Sequence, residues 1–319
     1  MNRFFLFLLF TALAGAAAAQ SWPERPVRII APFAPGGTAD TLGRLVAQKL
    51  TESLKETFVV ENRPGAGGAL GSDLAAKAAP DGYTLVVSGI ASHVLAPAIQ
   101  GTPYDPLRDF THIALFGGPP AVLAVNPSLK VKDLREFVAL AKSKPKTLTY
   151  GSPGNGTQGQ LVAELFKHHA GIDMLHVPYK GASAAVADLI AGHISAVSTT
   201  LTTASGQIRS GRAIGLAISS EARLPEFPDV PTFAEMGYPE IVATVWFSLS
   251  GPANLPPDIV RRLNTEVNRA LQLADVRERL KAEGIVPPKP MDAQAFTAFV
   301  AAEVKRWGPI VKASGAKPG

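Results

Sequence analysis

The feature that most constrains the fold is a Pro/Gly turn that joins an apolar run to an amphipathic segment. Residues 27–30 read VRII, a mostly apolar run that predicts a buried strand, and residues 31–40 read APFAPGGTAD. Leu42, Leu45 and Leu50 then follow at the spacing of one helical face. A strand that turns directly into a helix is the repeating unit of α/β proteins. We therefore expect a parallel sheet with helices packed on it.

The same turn has the chemistry of an anion site. Gly36 and Gly37 allow positive φ and a close approach of a ligand to the backbone. Thr38 is a predicted N-cap, and Asp40 lies in the first turn of the helix. The free N–H groups and the positive dipole end of a helix bind anions without a charged side chain. A plain β–α turn explains these residues equally well, and the stretch by itself does not separate the two interpretations.

The N-terminal residues predict a signal peptide. Arg3 precedes an apolar core at residues 4–13, and three alanines at 17–19 form a small-residue cleavage site. We therefore expect residues 1–19 to be removed from a soluble secreted or periplasmic protein. The apolar run is too short for a stable membrane span. The chain has no cysteine, which excludes a lipoprotein anchor, disulfides and thiolate chemistry.

Charge and motifs limit the class of function. The net charge of +5 is modest, and Lys and Arg are scattered along the chain, which argues against nucleic-acid binding. The sequence has no HExxH motif and no acidic cluster, so neither a metal nor a cofactor is predicted. Residues 151–154 read GSPG, which is not the Gly-x-Ser-x-Gly elbow of a hydrolase, and no His/Asp pair partners the serine recognisably.

The rest of the chain repeats the strand–turn–helix unit. Further strands are predicted at residues 58–62 and 83–88. The Gly-Gly-Pro-Pro stretch at 117–120 separates two apolar runs, and we interpret it as a crossing into a second domain. A second strand–Gly loop–helix unit has its loop at 151–160, and a strand at 242–250 is expected to carry the chain back.

The length of 319 residues also suggests two domains. We predict lobe 1 at residues 20–120 plus 246–319 and lobe 2 at 121–245. Two crossings make a hinge, and a cleft between two α/β lobes is a preferred ligand site. Other predicted elements are strands at 148–150, 174–177, 194–197 and 213–218, a hydroxyl-rich loop at 199–203, and helices at 69–79, 131–142, 184–191, 258–273 and 291–313.

Several stretches are long enough to point to a family. They are Trp22-Pro23, PVRII (26–30), PGGTAD (35–40), VENRPGAGG (60–68), APDGYTL (79–85), YGSPGNGT (150–157), HVPYKG (176–181) and DVPTFAE (229–235). Together they extend over essentially the whole mature chain. They resemble the Bug-type receptors, which are the periplasmic solute-binding proteins of the tripartite tricarboxylate transporter family.

This resemblance implies a type II periplasmic-binding-protein fold, in which two α/β lobes close over a ligand like a flytrap. It implies a small carboxylate ligand: a di- or tricarboxylate, an acidic amino acid or an aromatic acid. It also implies that a monomeric receptor in the periplasm, without catalytic residues or a cofactor, delivers the ligand to a membrane permease. In the family, backbone amides and waters from two facing loops hold one carboxylate.

The resemblance can be carried onto individual residues of this chain. The expected ligand-binding residues are Phe33, Gly36, Gly37, Thr38, Ala39 and Asp40 in lobe 1, Ser152, Asn155, Gly156 and Thr157 in lobe 2, and Tyr179, Lys180 and Gly181 beside them. The distal end of the ligand is expected near Ser88, Ser92, Thr199, Thr200 and Thr203.

Alternatives stay open for several of these residues. Ser152 and Thr157 are predicted donors to the carboxylate, and helix capping explains them as well. Asp40 is expected to support the helix start, because its charge would repel an anion. Asn155 and the side chain of Lys180 are candidates for contact.

Two departures from the family pattern leave the second half of the ligand open. Many members have His-Leu where this chain has Gln160-Leu161. Many also have an aromatic or acidic residue near the strand that ends at Ser198. Two other functions stay open: a sensor that passes ligand state to a membrane kinase and, more remotely, a periplasmic enzyme.

Overall fold

The computed structural model describes residues 22–285 and 288–314. The predicted signal peptide at residues 1–19 lies outside the described residues. The described chain forms two five-stranded sheets with helices packed against them. Within this part of the chain, no helix is both long and apolar enough to cross a membrane.

The strands and α-helices follow one another in this order: β1 (Val27–Ala31), α1 (Thr38–Leu54), β2 (Phe58–Asn62), α2 (Ala69–Ala76), β3 (Thr84–Gly89), α3 (Ala96–Gln100), β4 (Phe110–Gly117), β5 (Ala121–Val125), α4 (Leu134–Ser143), β6 (Thr149–Ser152), α5 (Gln158–Ala170), β7 (Leu175–Pro178), α6 (Ala182–Ala191), β8 (Ala196–Thr200), α7 (Leu201–Arg209), β9 (Ile214–Ile218), β10 (Phe247–Pro252), α8 (Pro257–Leu271), α9 (Ala274–Ala282) and α10 (Ala293–Ser314). Short 3₁₀ turns occupy Ala66–Gly68 and Pro127–Leu129, and a π turn occupies Ala91–Leu95.

The first sheet has the strand order β2-β1-β3-β10-β4. β1 runs parallel to β2 and β3, as the strand–turn–helix units predict. β10 returns from the second lobe and pairs antiparallel with β3 and β4. The sheet was expected to be parallel but is mixed, because β10 lies between β3 and β4 and runs antiparallel to both.

The second sheet has the order β7-β6-β8-β5-β9. Here β6 is parallel to β7 and β8, whereas β5 is antiparallel to β8 and β9. Each sheet thus combines a parallel βαβ part with antiparallel strands next to the crossings. This arrangement places the starts of several helices at the edge of each sheet that faces the other lobe.

The two crossings lie side by side. Pro120 forms an isolated antiparallel bridge with Thr244, and the Val245 N–H donates to the Pro119 carbonyl at 3.2 Å. A Cβ on Gly118 would lie 2.1 Å from the Val245 carbonyl oxygen, so the close approach requires a glycine there. The lobe limits at residues 120/121 and 245/246 remain a prediction.

The apolar face predicted for the first helix is confirmed. Leu42, Leu45, Val46 and Leu50 of α1 are all buried. Their i, i+3, i+4 spacing places them on one side of the helix, which packs on β2 and on α8. This packing fixes the start of α1 at the cleft.

Several predicted boundaries are wrong. The helix predicted at 69–79 ends at Ala76, and the strand predicted from 242 begins at Phe247. The hydroxyl-rich segment 199–203 is not a loop, because β8 runs to Thr200 and α7 begins at Leu201. The helix α9 was not predicted, since its two buried apolar residues stand among charged ones.

Candidate functional site

A cavity of about 50 Å³ lies between the two lobes. Its walls come from both sheets and from the second crossing. The lining residues are Phe33, Gly37, Thr38, Ala39, Ala91, Ala121, Pro153, Thr157, Gln158, Gly159, Ala182, Thr199, Thr200, Val245 and Phe247. Among the described residues, none that lines this cavity carries a charge.

Four helices begin at the wall of the cavity. The residues concerned are Gly37, Thr38 and Ala39 at the start of α1, Thr157, Gln158 and Gly159 at the start of α5, Ala182 at the start of α6, and Thr200 just before α7. The first N–H groups of a helix have no partner within the helix, and the dipole is positive at that end. The positive ends of four helix dipoles therefore lie at the cavity, whose wall is mostly apolar.

Asp40 supports the first of these helix starts. Its carboxylate accepts hydrogen bonds from the Gly36 N–H at 3.0 Å and from Asn62 at 3.0 Å, and it pairs with Arg44 at 2.9 Å. Burial alone would raise the pKa of this carboxyl, but the hydrogen bonds from Arg44, Gly36 and Asn62 hold it below the ordinary value. Asp40 does not line the cavity. Its negative charge is balanced instead by Arg44 and by the hydrogen bonds from Gly36 and Asn62.

The N-cap prediction for Thr38 is wrong. Gly37 is the N-cap of α1 and makes no side-chain capping bond. The Thr38 hydroxyl instead lies 2.7 Å from the Thr200 hydroxyl and 3.4 Å from the Thr203 hydroxyl, both of the other lobe. Thr200 and Thr203 are themselves 3.0 Å apart. Three hydroxyl groups therefore join the lobes at one end of the cavity.

Thr157 caps α5 and also lines the cavity. Its hydroxyl donates to the Gly154 carbonyl at 2.6 Å and accepts from the Gln160 N–H at 3.5 Å. The side-chain oxygen of Gln160 accepts in turn from the Gly156 N–H at 2.9 Å. Together these hydrogen bonds hold the glycine-rich loop in shape. Gln160, the departure from the family pattern, is thus a structural residue of the loop.

Ser152 is buried behind the loop and does not line the cavity. Its hydroxyl lies 2.7 Å from His176 Nε2 and accepts from the Gly154 N–H at 3.2 Å. The His176 ring stacks on Tyr150, with ring centroids 4.7 Å apart. Burial lowers the pKa of His176 to about 4. The structure therefore places Ser152 in loop support, which differs from the helix capping considered for it, because Thr157 is the N-cap of α5.

The lobes contact each other around the cavity. The Ser183 hydroxyl donates to the Pro35 carbonyl at 2.8 Å, and the Ala34 N–H donates to the Lys180 carbonyl at 3.3 Å. A Cβ on Gly181 would lie 2.8 Å from the Ala34 Cβ. Close contact between these loops therefore depends on a residue without a side chain at Gly181.

A second cavity of about 230 Å³ adjoins the first. Phe33 and Pro153 line both cavities, so they form the partition between them. Asn155, Tyr179 and Lys180 line only the second cavity. The Tyr179 hydroxyl donates to Asp188 at 2.6 Å, and burial together with this carboxylate raises the pKa of Tyr179 to about 12.

Ser88 and Ser92, which were expected to contact the distal end of the ligand, face the protein interior. The Ser88 hydroxyl is 2.7 Å from the hydroxyls of both Ser248 and Ser250 within the first sheet. The Ser92 hydroxyl is 3.0 Å from His93 Nδ1. Neither serine lines either cavity, whereas Ala91 between them does. The strand end was located correctly, but the serine side chains point into the protein, where they pair with neighbours.

Gln158 is a lining residue that the sequence did not single out. It is 2 % exposed, and neither its side-chain nitrogen nor its oxygen has a hydrogen-bond partner among the described residues. The Thr199 hydroxyl is likewise buried and unpaired within that part of the chain. A glutamine at the first position of a helix gives no sequence signal of burial, so only the packed structure identifies it.

Comparisons with known proteins agree with this geometry. The family model described as "Tripartite tricarboxylate transporter family receptor" matches residues 42–316. Protein BugT of Bordetella pertussis is 39% identical over 317 residues, which cover 97% of this chain and 96% of BugT. Two solved structures superpose closely. R. palustris Rpa4515 with adipate has a TM-score of 0.90 at 32% identity, over 93% of this chain and 100% of that one. MatC from Rhodopseudomonas palustris with bound malate has a TM-score of 0.87 at 33% identity, over 91% and 100%.

Proposed function

Because this chain belongs to the family of tripartite tricarboxylate transporter receptors, we propose that it captures a small carboxylate in the cavity between its lobes. We further propose that it does so in the periplasm, as a monomer freed of residues 1–19, and delivers the ligand to a permease of the tripartite tricarboxylate type. The observation that carries this proposal is the convergence of four helix starts on a cavity whose lining residues are uncharged.

The helix starts suit an anion energetically. A hydrogen bond from an N–H group to a charged acceptor contributes about 1.5–3 kcal/mol. Each helix dipole adds about 0.3–1 kcal/mol. Four or five such contacts, less the cost of ordering and closure, allow a dissociation constant of about 1 μM, which corresponds to a binding free energy of about −8 kcal/mol.

The relatives support the ligand class. Rpa4515 holds adipate and MatC holds malate, and both are carboxylates. Both structures match this chain over nearly its whole described length. We infer that the four helix starts at the cavity hold a ligand of that class without a counter-ion from a side chain.

Closure of the lobes is the proposed step that follows capture. We propose that residues 20–120 plus 246–319 move as one lobe and 121–245 as the other, about the paired crossings. The contacts of Ser183 with Pro35 and of Thr38 with Thr200 join residues of different lobes, so they form only when the lobes approach. A ligand that touches both loops favours the closed arrangement by the contacts it gains there.

A thermal-shift panel tests the proposal. The purified protein is heated with aliphatic and aromatic mono- and dicarboxylates at increasing concentration. At least one acid is expected to raise the Tm in a saturable manner, because a ligand that binds only the folded state stabilises it. Matched neutral alcohols and amides serve as controls. The absence of any shift across the panel would contradict the proposal, and native mass spectrometry of freshly purified protein would show any ligand already bound.

A further inference from the structure

We propose that the end of lobe 2 that faces away from the cavity is a docking surface for an anionic lipid membrane. The surface consists of residues 126–148, which we call the basic cap, together with Leu175 beside it. Its cations are attracted to negative headgroups, so the protein concentrates at a membrane surface whether or not its cavity is occupied.

The basic cap covers the end of the second sheet opposite to the cavity. β8 ends at Thr200, which lines the cavity and pairs with the start of β5 at Ala121. At the other end of β8, Ala196 pairs with Val125, where β5 ends, and with Tyr150 of β6. α4 and its two flanking turns connect these two strand ends. The whole basic cap therefore lies at the far end of the lobe.

The charge of the basic cap is not balanced within the chain. It carries six cations and two carboxylates, which leaves a formal charge of +4. The two carboxylates serve the start of α4, where Asp133 accepts from the Glu136 N–H at 2.9 Å and Glu136 accepts from the Lys132 N–H at 2.8 Å. All six cations are exposed, and none forms an ion pair with a carboxylate of the described residues. They are Lys130, Lys132, Arg135, Lys142, Lys144 and Lys146.

The equivalent end of the first sheet has no such excess of positive charge. The segments 22–26, 55–57, 77–83 and 101–109 lead into the far ends of β1, β2, β3 and β4 and hold four cations and five carboxylates. Helices end at both places, so compensation of helix dipoles does not account for the difference. Three of the four cations form ion pairs, namely Arg25 with Asp81 at 3.2 Å, Lys77 with Asp73 at 2.7 Å, and Arg108 with Asp109 at 2.9 Å.

An exposed leucine adjoins the basic cap. Leu175 begins β7 and is 62 % exposed, the highest value among the large apolar side chains of the described chain. Its N–H donates at 2.9 Å to the carbonyl of Leu148, the last residue of the cap. Segments 171–174, 192–195 and 210–213 lie at the same end and add Asp173 and Arg212, so the excess of positive charge is unchanged with histidine neutral. Exposed cations around one apolar side chain suit the boundary between lipid headgroups and acyl chains.

The arrangement favours a membrane over an acidic protein as the partner. Stable protein interfaces have a packed apolar core surrounded by polar residues. The basic cap instead spreads its cations over a helix and two turns, and none of its own large apolar side chains is exposed. A charged membrane attracts each cation separately and requires no match of shape. The partner is therefore a surface rich in acidic headgroups.

Vesicle sedimentation tests the inference with the purified protein. Vesicles of phosphatidylcholine with about one third phosphatidylglycerol are compared with vesicles of phosphatidylcholine alone. The protein is expected to sediment with the anionic vesicles only, and raising the salt from about 50 mM to about 500 mM should reduce the bound fraction about fivefold or more. Absence of binding to anionic vesicles at low salt, or equal binding to both kinds, would overturn the inference. Retention on immobilised polyglutamate without binding to vesicles would assign the surface to an acidic protein and overturn it as well.

Two double variants separate the basic cap from net charge. Lys144→Gln with Lys146→Gln removes two charges from the cap, and partition into anionic vesicles should fall about fivefold or more. Lys55→Gln with Lys305→Gln removes two exposed charges elsewhere and should change the partition about twofold or less. Equal losses in the two variants would show that net charge alone determines binding, and the docking surface would then be wrong.

Leu175→Ser tests the apolar contact. Partition into anionic vesicles should fall about threefold or more, and partition equal to that of the wild type would remove Leu175 from the surface. The Tm of each variant should match the wild type, because every altered side chain is exposed. Carboxylate affinity should also stay unchanged, since none of these residues lines the cavity. Loss of membrane binding is thereby distinguished from failure of ligand capture.

Discussion

The hydroxyl groups of Thr38 and Thr200 lie 2.7 Å apart across the cleft, one in the first turn of α1 and the other at the end of β8. Both residues also line the cavity. The contact between the lobes and the proposed contact with the ligand are therefore made by the same side chains. Ligand affinity and lobe closure should respond together when either residue is changed.

Thr38→Val tests this coupling. The variant loses the hydrogen bond between the lobes but keeps the shape of the side chain, and a net loss of about 1 kcal/mol corresponds to about fivefold weaker ligand binding. Calorimetry with the tightest acid of the panel measures the change. Thr265→Val, at an exposed position of α8, is the control, and equal affinities of the two variants would remove Thr38 from the closure contact.

Thr157→Val is expected to change both stability and binding. The threonine caps α5, so its replacement should lower the free energy of unfolding by about 1 kcal/mol. It also lines the cavity, so carboxylate affinity should fall as well. Chemical unfolding and calorimetry measure the two effects separately. Thr157→Ser keeps the capping oxygen and should restore most of the stability; unchanged affinity in the valine variant would make the residue a cap alone.

Gly181→Ala is expected to hold the lobes apart. The new Cβ would lie 2.8 Å from the Ala34 Cβ and 3.0 Å from the Ala34 nitrogen, both in the opposite lobe. Closure would then be penalised, and affinity should fall by about tenfold or more. Small-angle X-ray scattering should show a larger radius of gyration with ligand present than the wild type shows. Gly206→Ala has free space around the added methyl group and should behave like the wild type.

Acid should destabilise the fold through its buried histidines. Burial lowers the pKa of His112 and of His176 from 6.5 to about 4 and lowers that of His93 as well. Above pH 6.5 these rings are neutral in both states. As the pH falls from about 6.5 to about 4, the unfolded chain binds protons first, so the free energy of unfolding decreases.

Urea unfolding at several pH values checks this dependence. His112→Gln should show a shallower loss of stability between about pH 6.5 and 4 than the wild type. His168→Gln, at an exposed position in the last turn of α5, is the matched control and should keep the wild-type slope. A slope that is identical in all three proteins would show that the His112 ring does not contribute to the pH dependence.

Much of the framework could be predicted from residue patterns. The apolar run before the first glycine turn and the helical spacing after it locate β1 and the buried face of α1, because burial selects those positions directly. The second turn at 151–160 is found by the same signals. The antiparallel return of β10 could not be predicted, since pairing between distant strands leaves no local pattern.

The side chains of the site were harder to predict than its loops. Thr38 and Gly37 are both acceptable N-caps by residue type. The sequence does not show that the Thr38 hydroxyl contacts Thr200 of the opposite lobe and therefore does not cap α1. Ser88 stands at the correct strand end, but its direction depends on the strand that later pairs beside it. Gln158 was missed because the sequence shows neither its burial nor its lack of a partner.

The absence of a charged side chain among the described lining residues bears on how the ligand leaves. A receptor that holds an anion with a buried lysine or arginine exposes an unpaired cation whenever the anion departs before water enters. Backbone amides carry only partial charges, and water can replace the ligand on them one hydrogen bond at a time. Dissociation can thus proceed in small steps, which suits a receptor whose proposed role includes releasing its ligand to a permease.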